Sequence, residues 1–257
     1  MQGAAGERKM NLVVKVLGSA ALGAVLAAQP LSALAAAPIA APLHTSGVKA
    51  VYPRLSGLAD ARAMARVNAL LAAQETTDRA AYTDCLSQLK EMKMTPDKDS
   101  YVEDITVRYL SAHYFSVEVV TSYYCAGAYP TNGAEAPMTF DLTASTQIDW
   151  SAMFKPGFLP PDTADEHTPP SVLTKLYRAR YSKAKDDADC RQAINDQDPF
   201  SSAPIVWLDA KGGVVLQPDF PHVIAACATP LTLSPAEIAP YLKDAMLAAD
   251  LKATVHR

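Results

Sequence analysis

From residue 105 the chain alternates. Ile105, Val107 and Tyr109 are separated by Thr106 and Arg108, and Phe115, Val117, Val119 and Tyr123 share a second stretch with Ser116, Glu118 and Ser122. A period of two puts each apolar set on one face of a strand, so two β-strands are expected, each with one buried face. The join Ser111-Ala112-His113 is far too short for a crossover helix, so the strands are expected to pair as an antiparallel hairpin. Met138, Phe140 and Leu142 continue the alternation as a third strand, and Asn132-Gly133 in the intervening segment is a turn signal.

Helical spacing brackets this sheet. Val48–Tyr52 reads as a short strand and residues 53–57 as a turn. Leu58, Ala61, Met64, Val67 and Leu71 then recur at helical intervals, which predicts a helix over 58–73. A second helix, with Tyr82, Leu86 and Leu89 on one face, is expected to reach Met92. Beyond the sheet, residues 155–170 hold five of the chain's 19 prolines together with Asp162, Asp165 and Glu166, a surface loop. A helix over 172–184 follows, then strands over 205–208 and 214–216 around the turn Lys211-Gly212-Gly213. Ser234-Pro235-Ala236-Glu237 is a capping box with proline at the first helical position. It is expected to open an amphipathic C-terminal helix through Ile238, Leu242, Ala245 and Ala249. Hairpins flanked by helices, without βαβ crossovers, predict an α+β fold: an antiparallel sheet packed with helices. Two intertwined subdomains, 48–100 and 101–250, are the variant of that architecture the pattern allows.

The N-terminus sets the compartment. Arg8, Lys9 and Lys15 precede or open an apolar run from Leu12 to Ala28; Pro30 and Ser32 break it, and Ala33-Leu34-Ala35 offers a small-x-small cleavage site. Residues 1–35 therefore read as a secretory signal peptide, with an uncleaved anchor as the alternative. Residues 36–47, rich in Ala and Pro, read as a tether. The leader takes three of the 23 basic and one of the 27 acidic residues, which leaves a net charge of −6. That balance excludes a nucleic-acid partner, and no further stretch is apolar enough to span a membrane. The expected location is the periplasm or the medium.

Export gives the four cysteines a meaning. Cys85, Cys125, Cys190 and Cys227 form an even set with no Cys-x-x-Cys, and no His lies within four residues of any of them. Zinc-ligand spacing is absent and disulfides are expected, with three connectivities open. The sequence-local pairing, Cys85–Cys125 and Cys190–Cys227, is the expected one, each bond contributing about 2–4 kcal/mol.

Catalytic motifs are scarce. There is no Gly-x-Ser-x-Gly, no His-Glu-x-x-His and no phosphate-cradling glycine loop. Of the five histidines only His222 lies in a segment expected to pack. Glu118 and Asp141, on the polar faces of their strands, are the acids a hydrolase would need to pair, and Asp186, Asp187 and Asp189 could meet a cation. No metal or other cofactor is expected. Tyr123, Tyr124 and Tyr129, with Asn132, surround Cys125; tyrosines on a disulfide-pinned loop make a candidate binding face.

Three segments carry a family resemblance. They are Val51-Tyr52-Pro53-Arg54-Leu55-Ser56-Gly57 with Val67-Asn68-Ala69-Leu70-Leu71; Tyr123–Pro130 with Met138–Leu142 and Ile148–Phe154; and Val215–Phe220 with Leu231–Ser234. In that order, over residues 48–245, the chain resembles the RsiV-like extracellular domains of certain anti-sigma factors and of some peptidoglycan deacetylases. The resemblance implies an α+β fold and non-catalytic binding at the cell envelope, with lysozyme or peptidoglycan as partner. Only about ten residues precede the apolar run, and no deacetylase region follows the shared part. Signalling by regulated cleavage is therefore not expected. The alternatives are a cell-wall hydrolase using paired carboxylates and a structural accessory protein of the envelope.

Overall fold

A single 31-residue helix, α1 (Ala61–Glu91), organises the N-terminal half. Asp60 caps it, its carboxylate accepting from the N–H groups of Arg62 and Ala63 at 2.8 and 3.0 Å. The two helices expected over 58–92 are thus one. The segment holds no Gly or Pro, and Thr76 and Thr77 return their hydroxyls to the carbonyls of Ala72 and Ala73, so nothing interrupts the turn-to-turn bonding. The computed structural model describes residues 37–96, 100–125, 131–161, 169–181, 188–196 and 198–254; for 131–135, 193, 196, 222 and 223 only the backbone is described. The leader expected over 1–35 lies outside these residues.

The main sheet has the order β2 (His44–Gly47), β4 (Tyr101–Leu110), β5 (Tyr114–Tyr123), β7 (Met138–Asp141) and β8 (Thr146–Gln147), all antiparallel. β6 (Thr131–Glu135) pairs with β5 ahead of β7 along the same strand. The β4–β5 hairpin is the expected one. Asn132-Gly133, expected as a turn, lies inside β6. The break falls instead at Ala136-Pro137, where proline has no N–H for the ladder. A two-stranded sheet joins β1 (Ile39–Ala41) to β3 (Arg54–Ser56). Most of the expected tether is therefore folded: residues 39–47 supply β1 and β2, and the strand expected over 48–52 forms at 54–56. Asn68 of α1 holds β3 from the side, accepting from Leu55 N–H at 2.7 Å and donating to its carbonyl at 2.9 Å.

One face of the main sheet packs on α1. Val67 and Leu71 meet Ile105, Phe115, Val117 and Phe140, all fully or nearly fully buried. Tyr109 is not among them, although alternation places it with Ile105 and Val107. The β4–β5 register slips between Val107 and Tyr109, so Arg108 is bulged and Tyr109 lies opposite Ser116 rather than Phe115. One extra residue reverses the faces, and Tyr109 joins the core on the other side of the sheet.

That second core lies under a three-stranded antiparallel sheet, β11 (Leu231–Leu233)–β10 (Val214–Gln217)–β9 (Ile205–Leu208). The helix α3 (Val172–Tyr181), which follows the single-turn α2 (Trp150–Met153), and the helix α6 (Ala245–Thr254) also pack into it. Ser116 ties the two sheets: its buried hydroxyl accepts from Leu208 N–H at 3.2 Å and sits 2.9 Å from Thr139 Oγ1. At the outer strand, Arg180 Nη1 donates to the Thr232 carbonyl at 3.0 Å and Tyr181 to the Pro230 carbonyl at 2.8 Å. The capping box forms as expected, but it opens only one turn, α5 (Pro235–Ile238). Pro240 ends it, and α6 is a separate helix.

Residues 35–257 make one compact unit, and the expected division near residue 100 falls between α1 and β4, which share a core. Cys85 is bonded to Cys125 and Cys190 to Cys227, with Cα separations of 5.0 and 5.1 Å. The first bond joins the end of α1 to the end of β5; the second joins α4 (Ala188–Asp196) to a 3-10 helix (His222–Cys227). Two disulfides place the chain in an oxidising, non-cytoplasmic compartment. Among the described residues, no helix is long and apolar enough to cross a membrane.

Candidate functional site

The expected tyrosine face is only partly assembled. Tyr123 stacks on buried Tyr101 with ring centroids 6.2 Å apart, and Tyr82 meets Tyr101 edge-on at 5.5 Å. With Cys85, Leu89, Met94 and Cys125 these rings form a small core of their own at the disulfide. Tyr123 therefore packs inward. Tyr124 is half-buried, and its N–H donates to the Ser100 carbonyl at 2.8 Å, which extends the β4–β5 ladder by one bond. Tyr129 and the side chain of Asn132 lie outside the described residues.

The carboxylate pair that a hydrolase would need does not converge. Tyr114 is the residue opposite Asp141, so Glu118 is four residues away along β5, about 13 Å at 3.3 Å per residue. Each acid has another task. Glu118 binds the guanidinium of the bulged Arg108, with Nε at 2.8 Å, and Asp141 accepts from the N–H groups of Thr143 and Ala144 in the turn after β7. Asp186 and Asp187 lie outside the described residues; Asp189 is in the first turn of α4. His222 has only its backbone described. His44 is not in a tether but on β2, 2.5 Å from Asp104.

Sequence reasoning missed a polar cluster between α1 and β4. The buried stripe of α1 runs through Val67 and Leu71 to Glu75, where a glutamate on an otherwise soluble-looking helix gives no signal of burial. Glu75 accepts from Arg54 at 2.5 Å and from Arg79 one turn on. Tyr52, 1% exposed, donates to Asp78. Across from them Tyr101 donates to Glu103, itself 4% exposed, at 3.2 Å. Burial, reinforced by the negative charge of Asp78, pushes the Glu103 carboxyl up to about 7. The phenols of Tyr52 and Tyr101 are also pushed well above their usual value, first by burial.

The concave feature is elsewhere. A cleft of about 620 Å³ opens between residues 151–161 and residues 200–204, with Lys243 on a third side. Two of its lining residues are aromatic, Phe154 and Phe200, and both are buried. Phe154 belongs to a ladder with Trp150, Phe158 and Tyr241, successive centroids 5.8, 4.6 and 4.9 Å apart, whose other rings do not line the cleft. Its rim is built of prolines and serines. Each wall is anchored. Lys155 N–H donates to the Tyr241 carbonyl and Lys243 N–H to the Met153 carbonyl, both at 2.8 Å, and Lys155 Nζ reaches the Pro240 carbonyl at 2.7 Å. Asp198 holds the other wall, accepting from Phe200 N–H at 3.0 Å and from the Thr174 hydroxyl of α3 at 2.9 Å. A cleft of this size, apolar within and fixed before any ligand arrives, has the build of a small-ligand site. Its sequence signal is the clustering of prolines over 155–170, which by itself indicates only a surface loop.

No family model matches the sequence, and no curated protein does. Solved structures do match. A member of the DUF3298 family from Bacteroides fragilis aligns over 84% of this chain and 97% of its own, at 12% identity and a TM-score of 0.55. A DUF3298 family protein from Pseudomonas aeruginosa aligns over 80% and 94%, at 15% identity and a TM-score of 0.46. The likeness to the Bacteroides protein is one of fold: helices packed with antiparallel sheet through nearly the whole of both chains.

Proposed function

We propose that this chain is an exported binding module of the cell envelope, periplasmic or secreted, that holds a ligand without transforming it. The observation that carries the reading is the cleft between residues 151–161 and 200–204, with its largely apolar lining and anchored walls. The resemblance to RsiV-like extracellular domains supplies the setting, and the leader and two disulfides agree with it. That resemblance offers two partners. Peptidoglycan presents units small enough to enter the cleft; lysozyme, a cationic protein, would have to use the acidic exterior instead. The size of the cleft favours peptidoglycan. The hydrolase reading loses its motivation with the separation of Glu118 and Asp141.

The test is retention. The purified mature protein, immobilised, is offered soluble peptidoglycan fragments and, separately, lysozyme at moderate salt. Retention of the fragments, weakened by Phe200→Ala, is the expected result. Retention of lysozyme alone would move the ligand to the protein surface, and retention of neither would overturn the reading.

A further inference from the structure

The charge pattern of the cleft says more than its shape. The chain has an excess of acidic residues, yet among the described residues no Asp or Glu lines the cleft, whereas two lysines, Lys155 and Lys243, do. Of the acids adjoining the lining, Asp162 lies outside the described residues and the others are engaged. Asp149 accepts from Ser151 N–H and Oγ at 2.9 and 2.7 Å, and Asp244, next to Lys243, accepts from Leu247 N–H at 2.8 Å as α6 begins. Lys155 gives one ammonium proton to the Pro240 carbonyl and keeps two to donate. Lys243 has no carboxylate paired with it among the described residues. Two lysines in the lining of a largely apolar hollow complement an anion with an apolar body.

We infer that the cleft takes a short peptide by its free C-terminal carboxylate, with Lys155 and Lys243 as the anion-binding pair. A peptide fits better than a fatty acid for two reasons. The cleft is open along one side rather than closed around its contents. Its rim carries the hydroxyl residues Ser201 and Ser202, which can pair with amide groups and have nothing to offer an alkyl chain. Small side chains along the peptide would lie on Leu159 and the proline rings. The assignment rests on the envelope-binding reading and narrows it: the peptide part of the cell wall, not its glycan, occupies the cleft.

An NMR titration of the mature protein tests this with three probes: acetylated tri-alanine with a free carboxylate, the same peptide as its C-terminal amide, and decanoate. The free acid is expected to shift resonances of residues 151–161 and 200–204, and the amide to bind roughly tenfold more weakly. Lys243→Met and Lys155→Met are each expected to weaken the acid and leave the amide unchanged. Because Lys155 also bonds a backbone carbonyl, Lys243→Met carries the test if the Lys155 variant misfolds. Equal binding of acid and amide would overturn the assignment, as would decanoate binding where the peptide does not. Peptidoglycan retention without tri-alanine binding would overturn this ligand class and spare the envelope reading. Tri-alanine binding without peptidoglycan retention would do the reverse.

Discussion

Tyr101 and Glu103 lie two residues apart on one face of β4, and the phenol of the first donates to the carboxylate of the second at 3.2 Å. Both are buried against α1, and that carboxylate has no cation bonded to it among the described residues. The nearest opposing charges come from α1: Arg79 favours its ionised form, while Asp78 and Glu75 oppose it.

This arrangement makes stability depend on pH near neutrality. The Glu103 carboxyl titrates at about 7 in the folded chain, against its usual 4.5. Between those values the folded protein holds a proton that the unfolded chain has released. Stability from this group is therefore gained as pH falls through 7 towards 4.5, and the penalty of an ionised Glu103 is complete above 7. Glu103→Gln is expected to stabilise the protein by on the order of 1–3 kcal/mol at pH 8 and to have little effect at pH 5. Urea denaturation at both pH values measures it; a variant less stable than the parent at pH 8 would contradict the account.

Glu75 presents the opposite case, a buried acid with two cations. Glu75→Ala is expected to cost about 1–3 kcal/mol, because it leaves Arg54 and Arg79 partly desolvated with no carboxylate between them. A double-mutant cycle with Arg54→Ala should show coupling. Strict additivity in denaturant unfolding would mean that the Arg54 bond contributes nothing.

Gly212 and Gly157 form a matched pair for testing close approach. Both have positive φ, +78° and +81°. A Cβ at Gly212 would stand 2.7 Å from the Leu251 carbonyl of α6, whereas one at Gly157 would meet nothing within 4 Å. Gly157→Ala should cost about 1 kcal/mol for the backbone alone, and Gly212→Ala about 1–2 kcal/mol more. Equal losses of thermal stability would show that the β9–β10 turn does not bear on α6.

The disulfide between Cys85 and Cys125 holds the Tyr82–Tyr101–Tyr123 core at the far end of the sheet. Replacing both cysteines by serine is expected to cost about 2–4 kcal/mol. Hydrogen exchange should rise first at the end of α1 and around Tyr123, and remain unchanged in β9–β11. A uniform rise would mean that the bond stabilises the whole unit rather than one corner.

Much of the fold was legible because period and punctuation are local. The β4–β5 hairpin, the β9–β10 turn and the capping box at Ser234 follow from residues near one another in sequence, and both disulfides from pairing each cysteine with its neighbour in the series of four. What was lost depends on partners far away. The bulge at Arg108 reversed the facing of Tyr109, and no alternation rule registers one extra residue. The strands at 39–47 exist because β4 and β3 supply their other halves. Glu75 is buried because Arg54, 21 residues earlier, comes to meet it. The cleft escaped for the same reason, since residues 161 and 200, the nearest ends of its two walls, are 39 apart in sequence and only the packed core brings them together.

The outermost strand, β11, raises a last consequence. A strand at the end of a sheet exposes backbone groups on which a second molecule can grow, and such edges seed aggregation. Here Arg180 takes the Thr232 carbonyl and Tyr181 the Pro230 carbonyl, so α3 acts as a fixed cover over that edge. A protein that folds outside the cytoplasm, among many copies of itself, gains from such a cover. Once α3 has docked, its sheet offers neighbours less to copy.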